Sequence, residues 1–344
     1  MIDNKERDAS AKFHQEFVAS ANGENIASIS ANIIANMEKV ITGKTKEIKL
    51  VLAAFFAGGH VLLEDVPGTG KTMLAKALAR SFDLSFSRVQ FTPDLLPSEL
   101  TGINFYSPKS GEFTFRKGSL FANIVLADEI NRATPRTQSG LLEAMEERQI
   151  SIDGTTYPLE TPYFVIATQN PIETQGTFPL PEAQLDRFLL QLSLGYPERT
   201  ETIEIVKRGQ TANPLDGISP VCNLSHFATI SQSAAKVFIH DDVYGYMVDL
   251  AEATRGHDSI ALGVSTRGVQ ALARVSAAYA AMENREFVTP DDIRLLLPYV
   301  FTHRLMLRGG IINRRLAAES ALEEIVADVT APTETWKNIY NRNS

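Results

Sequence analysis

At 344 residues the chain is longer than one ordinary hydrophobic core needs, so two domains are expected. With 44% hydrophobic and 22% charged residues it is composed as a water-soluble globular protein, and its net charge of −8 disfavours bulk attraction to nucleic acid or anionic membrane. Cys222 is the only cysteine, which rules out an intrachain disulfide and fits a reducing, cytoplasmic setting. The polar start, Met1-Ile2-Asp3-Asn4-Lys5-Glu6-Arg7-Asp8, does not read as a secretory signal, and the longest apolar run, 51–57, is too short to span a bilayer.

Residues 1–23 are polar and read as a mobile or loosely helical arm. Over 25–41, the apolar residues Ile26, Ile29, Ile33, Ile34, Met37 and Val40 approximate one helical face. Val40-Ile41-Thr42-Gly43 then turns into a second helix through Ile48, Leu52 and Phe55. In a nucleotide-binding core, Ile41 and Gly43 are placed to flank an adenine ring; simple core packing is the alternative. His60-Val61-Leu62-Leu63 reads as a buried strand, and Met73-Leu74-Ala75-Lys76-Ala77-Leu78-Ala79-Arg80 as a helix. A second strand is expected over 84–90, a break from Pro93 to Pro97, and a hairpin whose arms flank Ser107-Pro108-Lys109-Ser110-Gly111. Asn123-Ile124-Val125-Leu126-Ala127 is a continuous apolar run, as for a strand covered on both faces. A helix over 137–147 follows. Asp153-Gly154 then marks a second hairpin, and strands over 164–168 and 188–192 complete five candidate strands. Beyond Tyr196-Pro197 the pattern becomes helical, at 198–208, 241–254, 267–282 and 290–297, with 210–221 reading as a linker. The expected organisation is an α/β core over 1–196 and a helical domain over 197–344.

The stretch Glu64-Asp65-Val66-Pro67-Gly68-Thr69-Gly70-Lys71-Thr72 lies between a strand and a helix, the context that a phosphate-binding loop requires. Gly68 and Gly70 let the backbone curl so that N–H groups share one hollow at the positive end of the helix. Lys71 supplies a charge for β- and γ-phosphates, and the Thr72 hydroxyl a Mg²⁺ ligand. Pro67, Gly68, Thr69, Gly70, Lys71, Thr72 and Met73 are therefore the nucleotide-binding candidates. Asp65 stands where the strict motif has glycine, and a chance Gly-Lys-Thr in a strand-to-helix turn is the alternative. Asp128-Glu129 ends a buried strand, where ligands of open α/β sheets bind: Asp128 suits Mg²⁺ and Glu129 the polarising of an attacking water. Capping the next helix is the alternative for this pair. Asn170, in Ala167-Thr168-Gln169-Asn170-Pro171, offers an uncharged amide to orient water or touch the γ-phosphate. Arg187, just before the last strand, is a candidate to reach a nucleotide on a neighbouring subunit, against a surface pair with Asp186. Arg267, opening a helix of the second domain, is a candidate γ-phosphate contact, against a solvated helix-start arginine. The six histidines show no metal-ligand spacing, which argues against a zinc site.

The order of these features resembles an AAA+ ATPase, with Walker A, Walker B, sensor 1, arginine finger and sensor 2. The hairpins resemble the helix-2 insert and pre-sensor-1 hairpin of the branch that holds MCM helicases, magnesium chelatase subunits and dynein. Within that branch, Leu62-Leu63-Glu64-Asp65-Val66-Pro67-Gly68-Thr69-Gly70-Lys71-Thr72 and Gln90-Phe91-Thr92-Pro93-Asp94-Leu95-Leu96-Pro97-Ser98 are similar to the MoxR family. So are Asp128-Glu129-Ile130-Asn131-Arg132-Ala133, Glu143-Ala144-Met145-Glu146-Glu147-Arg148-Gln149, Ala167-Thr168-Gln169-Asn170-Pro171 and Glu182-Ala183-Gln184-Leu185-Asp186-Arg187-Phe188. The likeness runs over about 25–310, with Asp65 an accepted variant and Thr266 standing where proline is expected.

This resemblance implies a three-layer αβα AAA+ core with a five-stranded parallel sheet, two β-hairpin insertions and a C-terminal all-helical lid. It implies ATP/ADP and Mg²⁺ as ligands and a homo-oligomeric ring, expected to be a hexamer. Arg187 would act in trans, with Arg132 a second candidate for that part, and Arg267 would couple the lid. The expected work is remodelling of protein clients in assembly, maturation or cofactor and metal insertion. A partner bearing a von Willebrand A domain is expected, and a membrane-associated partner stays open. A nucleic-acid motor of the MCM type is one rival reading. The chain is acidic, however, the first hairpin carries only Lys109, Arg116 and Lys117, and the second has no lysine or arginine. A nucleotide-gated scaffold with little turnover is the other rival, and Glu129 and Asn170 argue against it.

Overall fold

Five apolar segments of the sequence each become one strand, and the order in which they pair decides where the functional residues gather. The computed structural model describes residues 26–109, 111–170, 176–210, 213–309 and 314–332. The expected arm over 1–23 lies outside the described residues. Two compact units emerge. Of the described residues, the first comprises those in Ile33–Val51 and Gly58–Asn223, and the second those from 26 to 32, Leu52–Ala57 and those from Leu224 onward.

Helices α1 (Ile26–Glu38) and α2 (Thr45–Phe56) have the apolar faces expected, with Ile26, Ile29, Ile33, Met37 and Ile48 fully buried. α1 stops short of residue 41, tightening at its end as the Val40 N–H takes an i→i−3 bond to the Met37 carbonyl, which the Ile41 N–H shares. In the first unit, β1 (Val61–Glu64), α3 (Lys71–Ser81) and β2 (Phe86–Gln90) follow in sequence. Next come a short helix, α4 (Pro97–Thr101), and an antiparallel hairpin of β3 (Gly102–Ser107) and β4 (Glu112–Lys117). α4 begins where the expected break over 93–97 ends: Pro97 opens it without wasting an N–H, and the Glu99 carboxylate accepts from the Leu96 N–H at 3.2 Å.

Strand β5 (Ile124–Asp128) leads through a 3₁₀ turn to α5 (Pro135–Glu147), and then to a second hairpin, β6 (Gln149–Ile152) and β7 (Thr155–Pro158). Its Asp153-Gly154 turn has φ of 49° and 80°, the left-handed pair that a two-residue hairpin loop demands. The hairpins meet through Phe115 stacked on Tyr157 at 4.2 Å and Asn104 Nδ2 donating to Asp153 at 2.9 Å. Strand β8 (Phe164–Gln169), a four-residue helix α6 (Glu182–Leu185) and β9 (Leu190–Leu192) complete the core.

The sheet is wholly parallel in the order β2-β5-β8-β1-β9. Every residue of β5 is buried, as its unbroken apolar run requires of a strand covered on both faces, whereas the edge strand β2 is half exposed. Glu64 lies beside Gln169, Ala127 beside Ala167 and Gln90 beside Asp128, so the carboxyl ends of β2, β5, β8 and β1 form one row.

Helix α7 (Arg199–Gly209) and the segment after it stay with this unit. Arg208 Nη1 donates to the Lys39 carbonyl, Asn36 Nδ2 to the Ser219 carbonyl, and the Val221 and Cys222 N–H groups both donate to the Ser81 carbonyl. The units therefore part between Asn223 and Leu224, not at 196/197, and the expected linker over 210–221 is anchored in part by buried Leu215 and Ile218.

The second unit continues with α8 (Leu224–Ala234), α9 (Asp241–Gly256), β10 (Ile260–Leu262), α10 (Thr266–Met282), α11 (Pro290–Phe301), β11 (Met306–Leu307) and α12 (Arg314–Asp328). Among the described residues its helices are joined by a short antiparallel pair, β10–β11, and a single parallel bridge between Phe238 and Phe287. α11 starts at a capping box of Thr289 and Asp292, and Arg285 grips the same Asp292 with two contacts of 2.6 Å. No helix among the described residues is long and apolar enough to cross a membrane.

Phe91 is fully buried in the cluster formed by β2, β5, β8 and α5. Phe91→Ala should cost about 3–5 kcal/mol, read as a lower urea midpoint for the first unit.

Candidate functional site

The loop after β1 is shaped by two glycines. Gly68 and Gly70 have φ of 87° and 93°, and Gly70 begins α3 without any side-chain cap. The first-turn N–H groups of α3 are thus left without intrahelical acceptors at the helix's positive end. A Cβ on Gly68 would meet nothing within 4 Å, so the hollow beside it is open. Lys71 Nζ folds across the loop to the carbonyls of Asp65 (2.9 Å) and Val66 (3.3 Å), and Thr69 Oγ1 donates to Val66 at 3.4 Å. Pro67 belongs to the same loop, while Thr72 and Met73 follow Lys71 in the first turn of α3.

Ile41 is buried, and its Cδ1 lies 3.9 Å from the point that a Cβ on Gly70 would occupy. The structure thus brings Ile41 to the loop. Gly43 has φ of 73°, and a Cβ there would run into the Glu201 carboxylate of α7. The left-handed turn favours glycine there, whereas the Glu201 carboxylate ends a flexible side chain that can give way.

The acidic pair sits two strands away from the end of β1, about 10 Å at ordinary strand spacing. Asp128 closes β5 with its carboxylate accepting three hydrogen bonds from two side chains. Thr168 Oγ1 donates to it at 2.7 Å, and Arg88 approaches through Nη2 at 2.7 Å and Nε at 3.2 Å; Arg88 in turn donates to Gln90 Oε1 at 3.2 Å. Glu129 adopts φ 57°, ψ 49°, a left-handed backbone that costs a non-glycine residue about 1–3 kcal/mol. Its N–H donates to Thr168 Oγ1 at 2.8 Å, and its carboxylate accepts from Gln90 Nε2 at 2.7 Å and pairs with Arg132 Nε at 3.1 Å. One hydroxyl, that of Thr168, therefore holds both acids in place. Asn170 follows β8 directly and is buried, between the ends of β5 and β1.

Two of the residues engaging the acids, Arg88 and Gln90, escaped the sequence reading. They occupy alternate positions at the end of β2, on one face, and only the pairing of β2 with β5 sets them against Asp128 and Glu129. Two polar residues spaced by two at the end of a strand was the available signal.

Arg187 is not brought to the loop. It precedes β9, so it lies at the amino ends of the strands, where the next N–H groups, of Leu189 and Leu190, bond to His60. A four-residue strand such as β1 spans about 13 Å, which separates this end of the sheet from the loop. There Arg187 Nε pairs with Glu146 of α5 at 2.9 Å. Arg267 belongs to the second unit, as the second residue of α10, after the N-cap Ser265. Thr266 holds the first helical position, a place proline also accepts, which accounts for the departure from the expected proline.

Among the described residues, no group of three or more His, Cys, Asp or Glu forms a metal cage. The donor set of one hydroxyl, Thr72, and one carboxylate, Asp128, suits Mg²⁺, which is commonly held by few protein ligands together with water and substrate phosphates.

Two family models match the chain: the ATPase family associated with various cellular activities (AAA) over residues 60–190, and the AAA lid domain over 252–328. Uncharacterized protein YeaC of Bacillus subtilis is 45% identical over 90% of this chain and 97% of its own length. Chaperone MoxR1 of Mycobacterium tuberculosis is 36% identical, over 87% of this chain and 81% of its own. A crystal structure from Cytophaga hutchinsonii, which carries a provisional ATPase name, superposes with a TM-score of 0.82 at 35% identity, over 95% of this chain and 99% of that one.

Thr168→Val keeps the shape and removes the hydroxyl shared by the two acids. It should lower stability by about 1–3 kcal/mol in urea denaturation, because the buried Asp128 carboxylate loses a donor and the half-buried Glu129 N–H its acceptor; Thr168→Ser should restore most of the loss.

Proposed function

Because the chain belongs to the MoxR family of AAA+ ATPases, we propose that it hydrolyses ATP as a ring and uses the cycle to remodel protein clients during assembly or maturation. The observation that carries this reading is the convergence, at the carboxyl ends of adjacent strands, of an open uncapped phosphate loop, the acidic pair and Asn170. Lys71 must leave the Asp65 and Val66 carbonyls to meet the β- and γ-phosphates, so the loop is already shaped around a positive charge. Thr72 and Asp128 would hold Mg²⁺, which when bound neutralises phosphate charge. Glu129 accepts the proton side of an attacking water, and the Asn170 amide orients that water without adding charge. Most of the rate gain then comes from positioning and charge stabilisation.

The remote position of Arg187 supports a ring. An arginine at the opposite end of the sheet from its own loop serves catalysis only if a neighbouring subunit presents its nucleotide there. A hexamer is the closed ring proposed. Arg132, engaged with Glu129 of its own chain, is the weaker choice for such a part. Arg267 is proposed to report nucleotide state to the lid. A protein client is supported by the first hairpin, which exposes Ile103, Phe105, Tyr106 and Phe113. The chaperone name of MoxR1 supports the same reading. Within it, metal or cofactor insertion, a von Willebrand A-domain partner and a cytoplasmic location are the finer proposals.

Lys71→Ala should abolish nucleotide binding in a fluorescence titration. Glu129→Gln should still bind ATP but release phosphate at least about tenfold more slowly, and near-normal turnover would remove Glu129 from its role. Arg187→Ala should bind ATP normally and turn over poorly. Mixing it with subunits that carry an intact Arg187 but the Glu129→Gln change should recover part of the activity, and no recovery in any mixture would contradict action in trans.

A further inference from the structure

Asp65 stands where a phosphate loop ordinarily has its first glycine, yet its backbone φ is not in the left-handed region, so glycine's freedom is not needed there. The side chain instead enters the protein. Asp65 is 4% exposed, and its carboxylate accepts three hydrogen bonds from the segment that leaves β9. Ser193 Oγ donates to Oδ1 at 2.6 Å, the Gly195 N–H to Oδ1 at 2.9 Å, and the Leu194 N–H to Oδ2 at 2.7 Å. The backbone of Asp65 is equally engaged: its N–H donates to Gln169 at 3.3 Å, one residue before Asn170, and its carbonyl receives Lys71 Nζ.

The segment so held is not a bystander. Gly195 turns it with φ of 63°, the Tyr196 carbonyl accepts from Lys44 Nζ at 3.3 Å, and α7 then lays Glu201 against Gly43 and Arg208 against Lys39. That 39–44 turn carries Ile41, the residue beside Gly70. A closed circuit therefore runs from the loop through Asp65 to 193–196, on to the 39–44 turn and back to the loop.

We propose that Asp65 is a positioning residue for nucleotide binding, acting as a latch that fastens the 193–195 segment to the base of the phosphate loop. The proposal rests on the nucleotide-site reading above. With the latch closed, the loop carbonyls that park Lys71 and the wall that carries Ile41 keep one fixed spacing. Without it, the Leu194 and Gly195 N–H groups lose a charged acceptor, and the loop and its flank move independently. The consequence runs against the motif: restoring the glycine should harm the site.

The test is titration of Mg-free and Mg-bound fluorescent ADP into the full-length chain, with steady-state phosphate release measured alongside. Asp65→Gly should weaken ADP binding about tenfold, a size expected for lost positioning, with a larger change in Kd than in kcat at saturating ATP. Ser193→Ala removes one donor at a half-buried hydroxyl and should weaken binding in the same direction. In the Asp65→Gly background its effect should vanish, since both changes break one latch. A stabilising role alone would lower the melting temperature and leave Kd unchanged and the two changes additive. Should Asp65→Gly fail to fold, Asp65→Asn, with one carboxylate oxygen replaced by a donor facing an N–H, should show the same loss and the same coupling. Wild-type affinity in these variants, in an assay where Lys71→Ala loses binding, would overturn the latch alone. Failure of the wild-type chain to bind ADP would overturn the nucleotide-site reading and the latch with it.

Discussion

Everything in the first unit depends on three parallel strands, β1, β8 and β5, ending side by side. Parallel pairing directs all their carboxyl ends one way, and the order β2-β5-β8-β1-β9 sets the loop, Asn170 and the acidic pair in adjacent positions. The amino ends are directed the other way, which leaves Arg187 on the far side. In the proposed ring one fold would use both ends of its sheet: each subunit would offer its carboxyl end as a site and its amino end as a neighbour's finger. The burial of β5 and β8 makes this arrangement stiff, because a register slip would bury polar residues and expose an apolar run.

Around the acidic pair, charge is matched before any ligand is considered. Asp128 meets Arg88, and Glu129 meets Gln90 and Arg132. Thr168 joins the two acids through one hydroxyl and so offsets part of the strain of the left-handed Glu129 backbone. Arg88 and Gln90, the partners of Asp128 and Glu129, both come from β2. The edge strand therefore takes part in the site although it carries none of the residues that the motifs single out. Together with the Asp65 latch at the other side, it encloses the loop between two sets of side-chain contacts that come from outside the motifs.

Local patterns made the strands, both hairpins and most helices legible, because each buries an apolar face whose period is visible without knowing the fold. Asp128, Glu129 and Asn170 were legible for a related reason, each standing at or just past a strand end next to an apolar run, and Gly68 and Gly70 from the loop between a strand and a helix. What stayed hidden needed pairing across the sequence. Arg88 and Gln90 are ordinary polar residues of an edge strand until β2 is set beside β5, and Glu146 is one of several helix acids until it meets Arg187. The division of the chain was misplaced for the same reason. Pro214 and Gly217 look like linker residues, but hydrogen bonds from Val221 and Cys222 to Ser81 tie that segment to the first unit. Helix α8 passed unread because Ser225, Thr229, Ser231 and Ser233 dilute its apolar face, and only its burial against α10 reveals it.

The central claim is that the working site is shared between subunits. The most direct measurement is phosphate release from Mg-ATP per subunit, followed across a wide range of protein concentration with the oligomeric state recorded at each point. The account predicts specific activity that is low for the monomer and rises to a plateau in step with ring formation. Specific activity that stays constant from monomer to ring, or a ring that releases no phosphate, would contradict it.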